Sequence, residues 1–172
     1  FVLHFRALRD PRVYWRSAEF RIYFVLIAVA AALIAGGLWI EMGAGTAVLE
    51  GVFASVAIVT TTGFTSSDFG AWRPALQVLV VGLMFLGGMS GSTSGGIKSF
   101  RVGVLTKAAY ADLRRLVHPR GVFTVRLGKR KVADGVVESV QSFFLFYMVI
   151  FMTGTFLLGF IDANISEELD LV

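Results

Sequence analysis

The chain has 172 residues, of which 56% are hydrophobic and only 16% are charged. A soluble domain is normally about one quarter charged, and a mean hydropathy of +0.74 is unusually apolar for one. No cysteine is present, which excludes disulfides and thiolate metal sites. Composition therefore favours a membrane protein.

Three long stretches contain no charged residue: 22–40, 74–97 and 139–161. About 20 residues of α-helix cross the hydrocarbon core of a lipid bilayer, so each stretch is long enough for a full span. The alternative is that these stretches are core helices of a soluble protein. We predict an all-α membrane protein.

The basic residues predict the orientation. All of the 16 Lys and Arg residues except Arg73 lie at 6–21 or at 98–131. Under the positive-inside rule, the N-terminus and residues 98–131 are cytoplasmic. A net charge of +4 would also fit a nucleic-acid partner, but topology accounts for these charges, and we expect no such partner.

The connection between the first two stretches should begin and end outside the membrane, yet residues 51–67 contain no charge. A segment this apolar should dip into the membrane and return. We predict a short helix over 46–59, roughly 20 Å long, followed by a turn that leads back to Asp68. This order of helix, pore loop and helix (M–P–M) is typical of potassium channels.

The predicted turn reads Thr60-Thr61-Thr62-Gly63-Phe64-Thr65, and we call residues 60–65 the filter turn. Irregular backbone is tolerated at membrane depth where it is buried in protein or lines a water-filled path. Rings of carbonyls replace an ion's hydration shell in potassium channels, and glycine permits the backbone angles this needs. We predict an ion selectivity filter at Thr60, Thr61, Thr62, Gly63 and Phe64, with potassium at Thr61, Thr62 and Gly63. The alternative is a polar helix cap followed by a loop.

A second unusual segment lies inside the stretch 74–97. Residues 87–96, the glycine loop, contain five glycines and four hydroxyl residues. Each glycine costs about 1 kcal/mol in a helix relative to alanine, so we predict a break just below the filter that opens or closes the path. The predicted gating residues are Gly87, Gly88, Gly91, Ser92, Thr93, Ser94, Gly95, Gly96 and Lys98. Close helix packing through small residues is the alternative.

Lys98 is the first charge after the glycine loop. It is either a lysine that extends to the cytoplasmic interface, or a group near the ion path. In the second case it repels cations or neutralises a negative group near the gate.

The glycine loop also comes close to a phosphate-binding P-loop, G-x-x-x-x-G-K-[ST]. Gly91 and Gly96 have the required spacing, but Ile97 takes the lysine position and Lys98 comes one residue late. No strand pattern precedes the segment. An ATP-using enzyme is therefore a third hypothesis behind ion conduction and a non-conducting membrane anchor, and we expect no enzymatic activity.

Three motifs together resemble the Trk/Ktr-type potassium transporters: TTTGFTSSDF at 60–69, GGMSGSTSGGIKSFR at 87–101 and RRLVHPR at 114–120. The resemblance covers about 20–165. In that family one long chain carries four M–P–M repeats around one pore, and each repeat contributes a filter glycine. The resemblance implies that this chain supplies the third repeat and the first helix of the fourth, with Gly63 as the third filter glycine.

The resemblance also implies a domain organisation. The segments are a cytoplasmic basic segment at 1–19, a repeat at 20–117, a cytoplasmic linker at 118–131, the first helix of the next repeat at 132–161, and the extracytoplasmic start of the next pore loop at 162–172. Within the repeat, the parts are a span at 22–40, a pore helix and filter at 46–65, and a broken span at 74–117. In the linker, Pro119 and Gly121 should end a helix at about Leu116, before an extended arm or hairpin at 122–130.

The resemblance implies potassium as the transported ion, with no organic cofactor, in a multi-pass protein of the cell (inner) membrane. The implied partners are the lipid bilayer, the remaining repeats, a second copy in a homodimer, and a cytoplasmic nucleotide-binding regulatory subunit. A glycine at position 63 goes with potassium selectivity, and a sodium-permeable relative remains an alternative. Since one repeat cannot surround an ion, either this chain is a piece of a longer transporter or four copies assemble. We expect the first, because the chain carries one complete repeat and one further span.

Overall fold

A computed structural model describes the backbone at residues 2–118, 121, 123–128 and 130–170. The chain divides into two units, 1–132 and 133–172. The first holds α1 (Val2–Ala7), α2 (Arg12–Arg16), α3 (Ala18–Met42), α4 (Ala44–Val59), a 3-10 turn (Phe69–Ala71), α5 (Pro74–Met84), β1 (Leu86–Gly87), β2 (Ile97–Lys98), α6 (Ser99–Val117), β3 (Arg126–Leu127) and β4 (Arg130–Lys131). The second holds α7 (Asp134–Asp170). The predicted fold class, an all-α M–P–M repeat followed by one further helix, is confirmed.

In the described part of the chain, two helices are long and apolar enough to cross a membrane: Ala18–Met42 and Asp134–Asp162. They contain the predicted spans 22–40 and 139–161 and extend past them. Ser17 begins α3, because its hydroxyl accepts a hydrogen bond from the Phe20 N–H at 3.4 Å. A helix continues through charged residues at its ends, so the apolar stretches underestimate its length.

The core of the first unit lies where α4 folds back along α3. Gly51 makes this close approach possible, since a Cβ atom at this position would lie 2.6 Å from the carbonyl oxygen of Ala31. Ile34 and Leu38 of α3 and Val59 of α4 are fully buried in the same core. This packing fixes the C-terminal end of α4, which carries the filter turn.

The stretch 74–97 is not one span, because α5 ends at Met84. Phe85 instead accepts a hydrogen bond at its carbonyl from the N–H of Ile97, at 2.8 Å. β1 pairs in parallel with β2, so that Gly87 lies beside Lys98. The chain therefore leaves α5 before Gly87, the first residue of the glycine loop. A short strand pair closes this loop at its base.

The end of α6 and the segment after it differ slightly from expectation. α6 ends at Val117, one residue beyond Leu116, while Pro119, Arg120, Val122 and Lys129 lie outside the described residues. The hairpin expected at 122–130 forms at 126–131, with β3 antiparallel to β4 and Gly128 in the turn at φ +63°. The positive φ at Gly128 sets this register, because glycine adopts it without strain.

α7 corrects the expected end of the last helix. We predicted a helix at 132–161 and a pore-loop start at 162–172, but α7 runs from Asp134 to Asp170. Neither glycine nor proline follows Gly159, so nothing in the residue pattern ends the helix there. Residues 171–172 lie outside the described part of the chain.

Candidate functional site

The filter turn folds onto the last turn of its own helix. The N–H groups of Thr62 and Gly63 both donate to the carbonyl of Ala57, at 2.9 and 3.2 Å. Thr61 and Gly63 have positive φ angles of 58° and 78°. A β-branched residue in this region costs on the order of 1–3 kcal/mol and persists only where its surroundings impose it. The turn is therefore a defined and strained structure, not a loose helix end.

Hydroxyl groups line the start of the filter turn. The Thr60 hydroxyl donates to the carbonyl of Val56 at 2.7 Å and lies 2.6 Å from the Thr62 hydroxyl. Residues 61–64 are all exposed, and Phe64 is 71% exposed. One side of the turn thus packs on α4 while the other is open.

A buried carboxylate lies behind the filter turn. Glu50 of α4 is only 9% exposed, and its Oε2 accepts hydrogen bonds from the hydroxyls of Ser66 at 2.7 Å and Ser67 at 3.2 Å. A buried charge needs such partners, because its desolvation is otherwise very costly. Glu50 therefore ties the chain that leaves the filter turn back to the helix that enters it.

Sequence reasoning did not single out Glu50. The signal was available, since Glu50 is the single charged residue of an otherwise apolar helix, α4. An ionisable residue in such a helix is by default a functional candidate.

The glycine loop contacts the filter turn directly. The N–H of Gly95 donates to the hydroxyl of Thr61 at 3.0 Å, a bond that joins positions 34 residues apart. Two predicted site segments are thus brought together. Gly91, with φ +78°, and Thr93 lie instead at the exposed tip of the loop.

The base of the loop leaves no room for side chains. A Cβ atom at Gly87 would overlap the carbonyl oxygen of Gly95, and one at Gly96 would overlap that of Leu86. Inside the loop, the Gly88 N–H donates to the Ser94 hydroxyl at 2.8 Å. The Ser92 and Ser94 hydroxyls lie 2.8 Å apart. These glycines are therefore required by close backbone approach.

Lys98 is half-buried and folds back onto the glycine loop. Its Nζ donates to the carbonyl oxygens of Ser92, at 3.0 Å, and of Ser94. The hydroxyls of the same two serines lie at 3.4 and 3.2 Å. The ammonium group is thus surrounded by loop oxygens.

Glu19, near the start of α3, binds the first half of the glycine loop at Ser90. Its Oε1 accepts hydrogen bonds from the N–H of Ser90 and from the hydroxyl of Ser99, the latter at 3.3 Å. Ser99 is fully buried at the start of α6. Sequence reasoning missed Glu19, because it lies 71 residues from Ser90 and no local pattern marks it.

Comparison with known proteins gives the family. The family model TrkH, described as a cation transport protein, matches residues 3–164. The Trk system potassium uptake protein TrkH of Vibrio parahaemolyticus is 37% identical over 175 residues, which cover 97% of this chain and 36% of that protein. The protein of the same name from Escherichia coli is 35% identical over 174 residues, covering 96% of this chain and 35% of that protein.

A solved structure agrees with these matches. The crystal structure of the potassium transporter TrkH from Vibrio parahaemolyticus superposes with a TM-score of 0.82 at 34% identity, over 89% of this chain and 34% of that one. The chain thus spans about a third of the length of the curated relatives it matches. With a family model that matches most of its length and relatives above 30% identity, the chain belongs to the TrkH family of cation transport proteins.

Proposed function

We propose that this chain supplies one pore-loop repeat, and the helix after it, of a potassium transporter in the cell membrane. The relatives it matches are named potassium uptake proteins, and it spans about a third of their length. The observation that carries the proposal is the filter turn, which is exposed on one side and has positive φ at Thr61 and Gly63. Positive φ at alternate residues rotates their peptide planes, which suits a strand whose carbonyls face one axis.

In this proposal the filter turn removes water from the ion and selects it. Carbonyl oxygens of residues 60–64 replace part of the hydration shell, and the C-terminal end of α4 adds a partial negative charge beside them. The potassium positions are at Thr61, Thr62 and Gly63. One turn supplies only part of a ring, so the other repeats of the same transporter complete it.

The glycine loop is the gate in the same proposal. It hydrogen-bonds to Thr61, a filter residue, and therefore lies where it obstructs an ion that leaves the filter. All of the predicted gating residues belong to this loop or, in the case of Lys98, to the strand that closes it.

The loop is better suited to a cation than to nucleotide phosphates. A P-loop directs free N–H groups at phosphate oxygens, whereas the N–H groups of Gly88, Ser90 and Gly95 already donate to oxygens of this chain. The carbonyls of Ser92 and Ser94 converge instead on a positive charge. These contacts support transport without enzymatic turnover.

The remaining parts of the proposal concern the assembly. The lipid bilayer surrounds α3 and α7, and the N-terminus and residues 98–131 face the cytoplasm, as the basic residues indicate. A homodimer and a cytoplasmic nucleotide-binding regulatory subunit are the expected partners. The segment 118–131 is the expected linker on that side.

The test is growth of an uptake-deficient strain that carries the full-length transporter with Gly63→Ser. At limiting potassium we expect uptake to fall at least about tenfold, because serine is strained at φ +78° and an uneven filter ring loses selectivity. Sodium challenge separates lost conduction from a sodium-permeable filter.

Gly45→Ser is the matched control, since a Cβ atom at Gly45 meets nothing within 4 Å. Unchanged uptake and selectivity in the Gly63→Ser protein would contradict the proposed filter and favour a non-conducting anchor.

A further inference from the structure

The surroundings of the Lys98 ammonium group are unusual for a lysine. Its four contacts within 3.4 Å are neutral oxygens, two carbonyls and two hydroxyls, all from Ser92 and Ser94. Among the described residues, no carboxylate forms an ion pair with it. The group is therefore coordinated by dipoles and is not part of a salt bridge.

Such a set of oxygens suits any compact monovalent cation. A lysine ammonium is a point charge with three donors, and carbonyl oxygens are also the ligands that replace water around potassium. Ammonium and potassium ions are similar in size. The geometry that accepts Lys98 is consequently one that accepts a free ion of the same charge and radius.

The backbone fixes where the ammonium group can reach. Lys98 lies in β2 beside Gly87, and the strand pair holds its Cα at the base of the loop. From there the side chain spans back to the carbonyls of Ser92 and Ser94. The Ser92 and Ser94 hydroxyls also have partners inside the loop, whereas the Lys98 ammonium supplies the positive charge on which the two carbonyls converge.

We propose that the oxygens of Ser92 and Ser94 form a monovalent-cation subsite in the glycine loop, and that Lys98 fills it as a tethered cation that holds the loop closed. The subsite takes potassium, rubidium or ammonium when the lysine is absent. The proposal rests on the proposed function, since it concerns the gate of that same path. Release of Lys98 both loosens the loop and frees its oxygens for the permeating ion.

The test measures loop exposure, not transport. Met89→Cys places a thiol at a half-buried position of the glycine loop, and its labelling by a charged thiol reagent is followed in the full-length protein, purified in detergent. In choline chloride we expect Lys98→Ala to raise the labelling rate about tenfold, the effect of losing one charged hydrogen-bonding group. Potassium or rubidium should return it to near the rate of the Lys98 protein, and sodium should do so less.

Lys107→Ala is the matched control, because Lys107 is an exposed lysine of α6; its labelling rate should not change. Lys98→Met removes the charge but keeps the side-chain bulk, and it replaces Lys98→Ala if the alanine variant does not fold. Unchanged labelling in choline, or raised labelling that neither potassium nor rubidium reverses, would overturn the subsite.

Failure of the proposed function would look different. In that case the parent protein and its Gly63→Ser variant would take up rubidium equally well, or neither would take it up, whatever the labelling shows.

Discussion

The filter turn and the glycine loop are both irregular and rich in glycine and hydroxyl groups, but they are held in different ways. The filter turn is bonded to its own helix through the Ala57 carbonyl, and the buried carboxylate of Glu50 binds Ser66 directly after the turn. The glycine loop is held above its base by side chains of other elements, which are Glu19, Thr61 and Lys98. One region therefore cannot move without unwinding α4, whereas the other can be released one contact at a time.

This difference suits a filter turn that stays fixed while it selects the ion and a glycine loop that moves as a gate. Local opening of a folded protein occurs in regions that have few buried contacts and many hydrogen bonds exposed to solvent. We expect changes in the filter turn to alter stability and selectivity together, while changes above the base of the loop alter gating with little effect on stability.

The largest expected effect tests whether the base of the loop is as rigid as the filter turn. Gly87→Ala places a Cβ atom on the carbonyl oxygen of Gly95, and backbone must shift to accommodate it. We expect a loss of about 3 kcal/mol in unfolding free energy and loss of gated uptake in the full-length protein, measured by thermal unfolding and rubidium flux.

Gly82→Ala is the control, since a Cβ atom there meets nothing within 4 Å and alanine favours helix α5. Its stability should rise slightly, by about 0.5–1 kcal/mol. Equal behaviour of the two variants would mean that the strand pair does not define the loop.

The second prediction concerns the support of the filter turn. Glu50→Ala removes the acceptor for Ser66 and Ser67, and we expect about 2 kcal/mol lower stability together with weaker discrimination between potassium and sodium. Glu50→Gln keeps one acceptor oxygen and should lie between the alanine variant and the parent. Thermal unfolding and competitive uptake measure the two effects.

Glu41→Gln is the comparison for a more exposed carboxylate, because Glu41 pairs with Arg73 at 2.5 Å but is partly exposed. Such pairs contribute about 0–1 kcal/mol. If Glu50→Ala costs no more than Glu41→Gln and leaves selectivity intact, the buried carboxylate does not position the filter.

The sequence predicts the elements of the repeat because their signals are local. Apolar length marks α3 and α7, and the glycines of 87–96 mark a segment that stays out of helices. The same local logic explains why α7 continues through 162–170, since no glycine or proline follows Gly159. The presence of a helix can be predicted from the residues within it, whereas the residue at which it ends is predicted less reliably.

The contacts that join the two regions could not be predicted in this way. The bonds from Ser90 to Glu19 and from Gly95 to Thr61 join residues 71 and 34 positions apart. Hydrophobic periodicity reports which face of an element is buried, and it does not report which polar groups meet across the fold. Among the residues that support the two regions, Glu50 had a usable signal in the sequence, because it is the single charged residue of an otherwise apolar helix.

The smallest expected effect tests the link between the two regions. Thr61→Val keeps the shape and branching of the side chain but cannot accept the Gly95 N–H, so we expect about 1 kcal/mol less stabilisation of the closed loop. That corresponds to roughly fivefold faster labelling of Met89→Cys. Thr61→Ser retains the hydroxyl and should label like the parent.

Because valine is as strained as threonine at φ +58°, a difference between Thr61→Val and the parent reflects mainly the hydrogen bond. Faster labelling with unchanged potassium selectivity would show that the filter turn holds the loop without depending on it. Lost selectivity in the valine variant would instead mean that the loop supports the filter, and the contrast between a fixed selector and a releasable gate would fail at this residue.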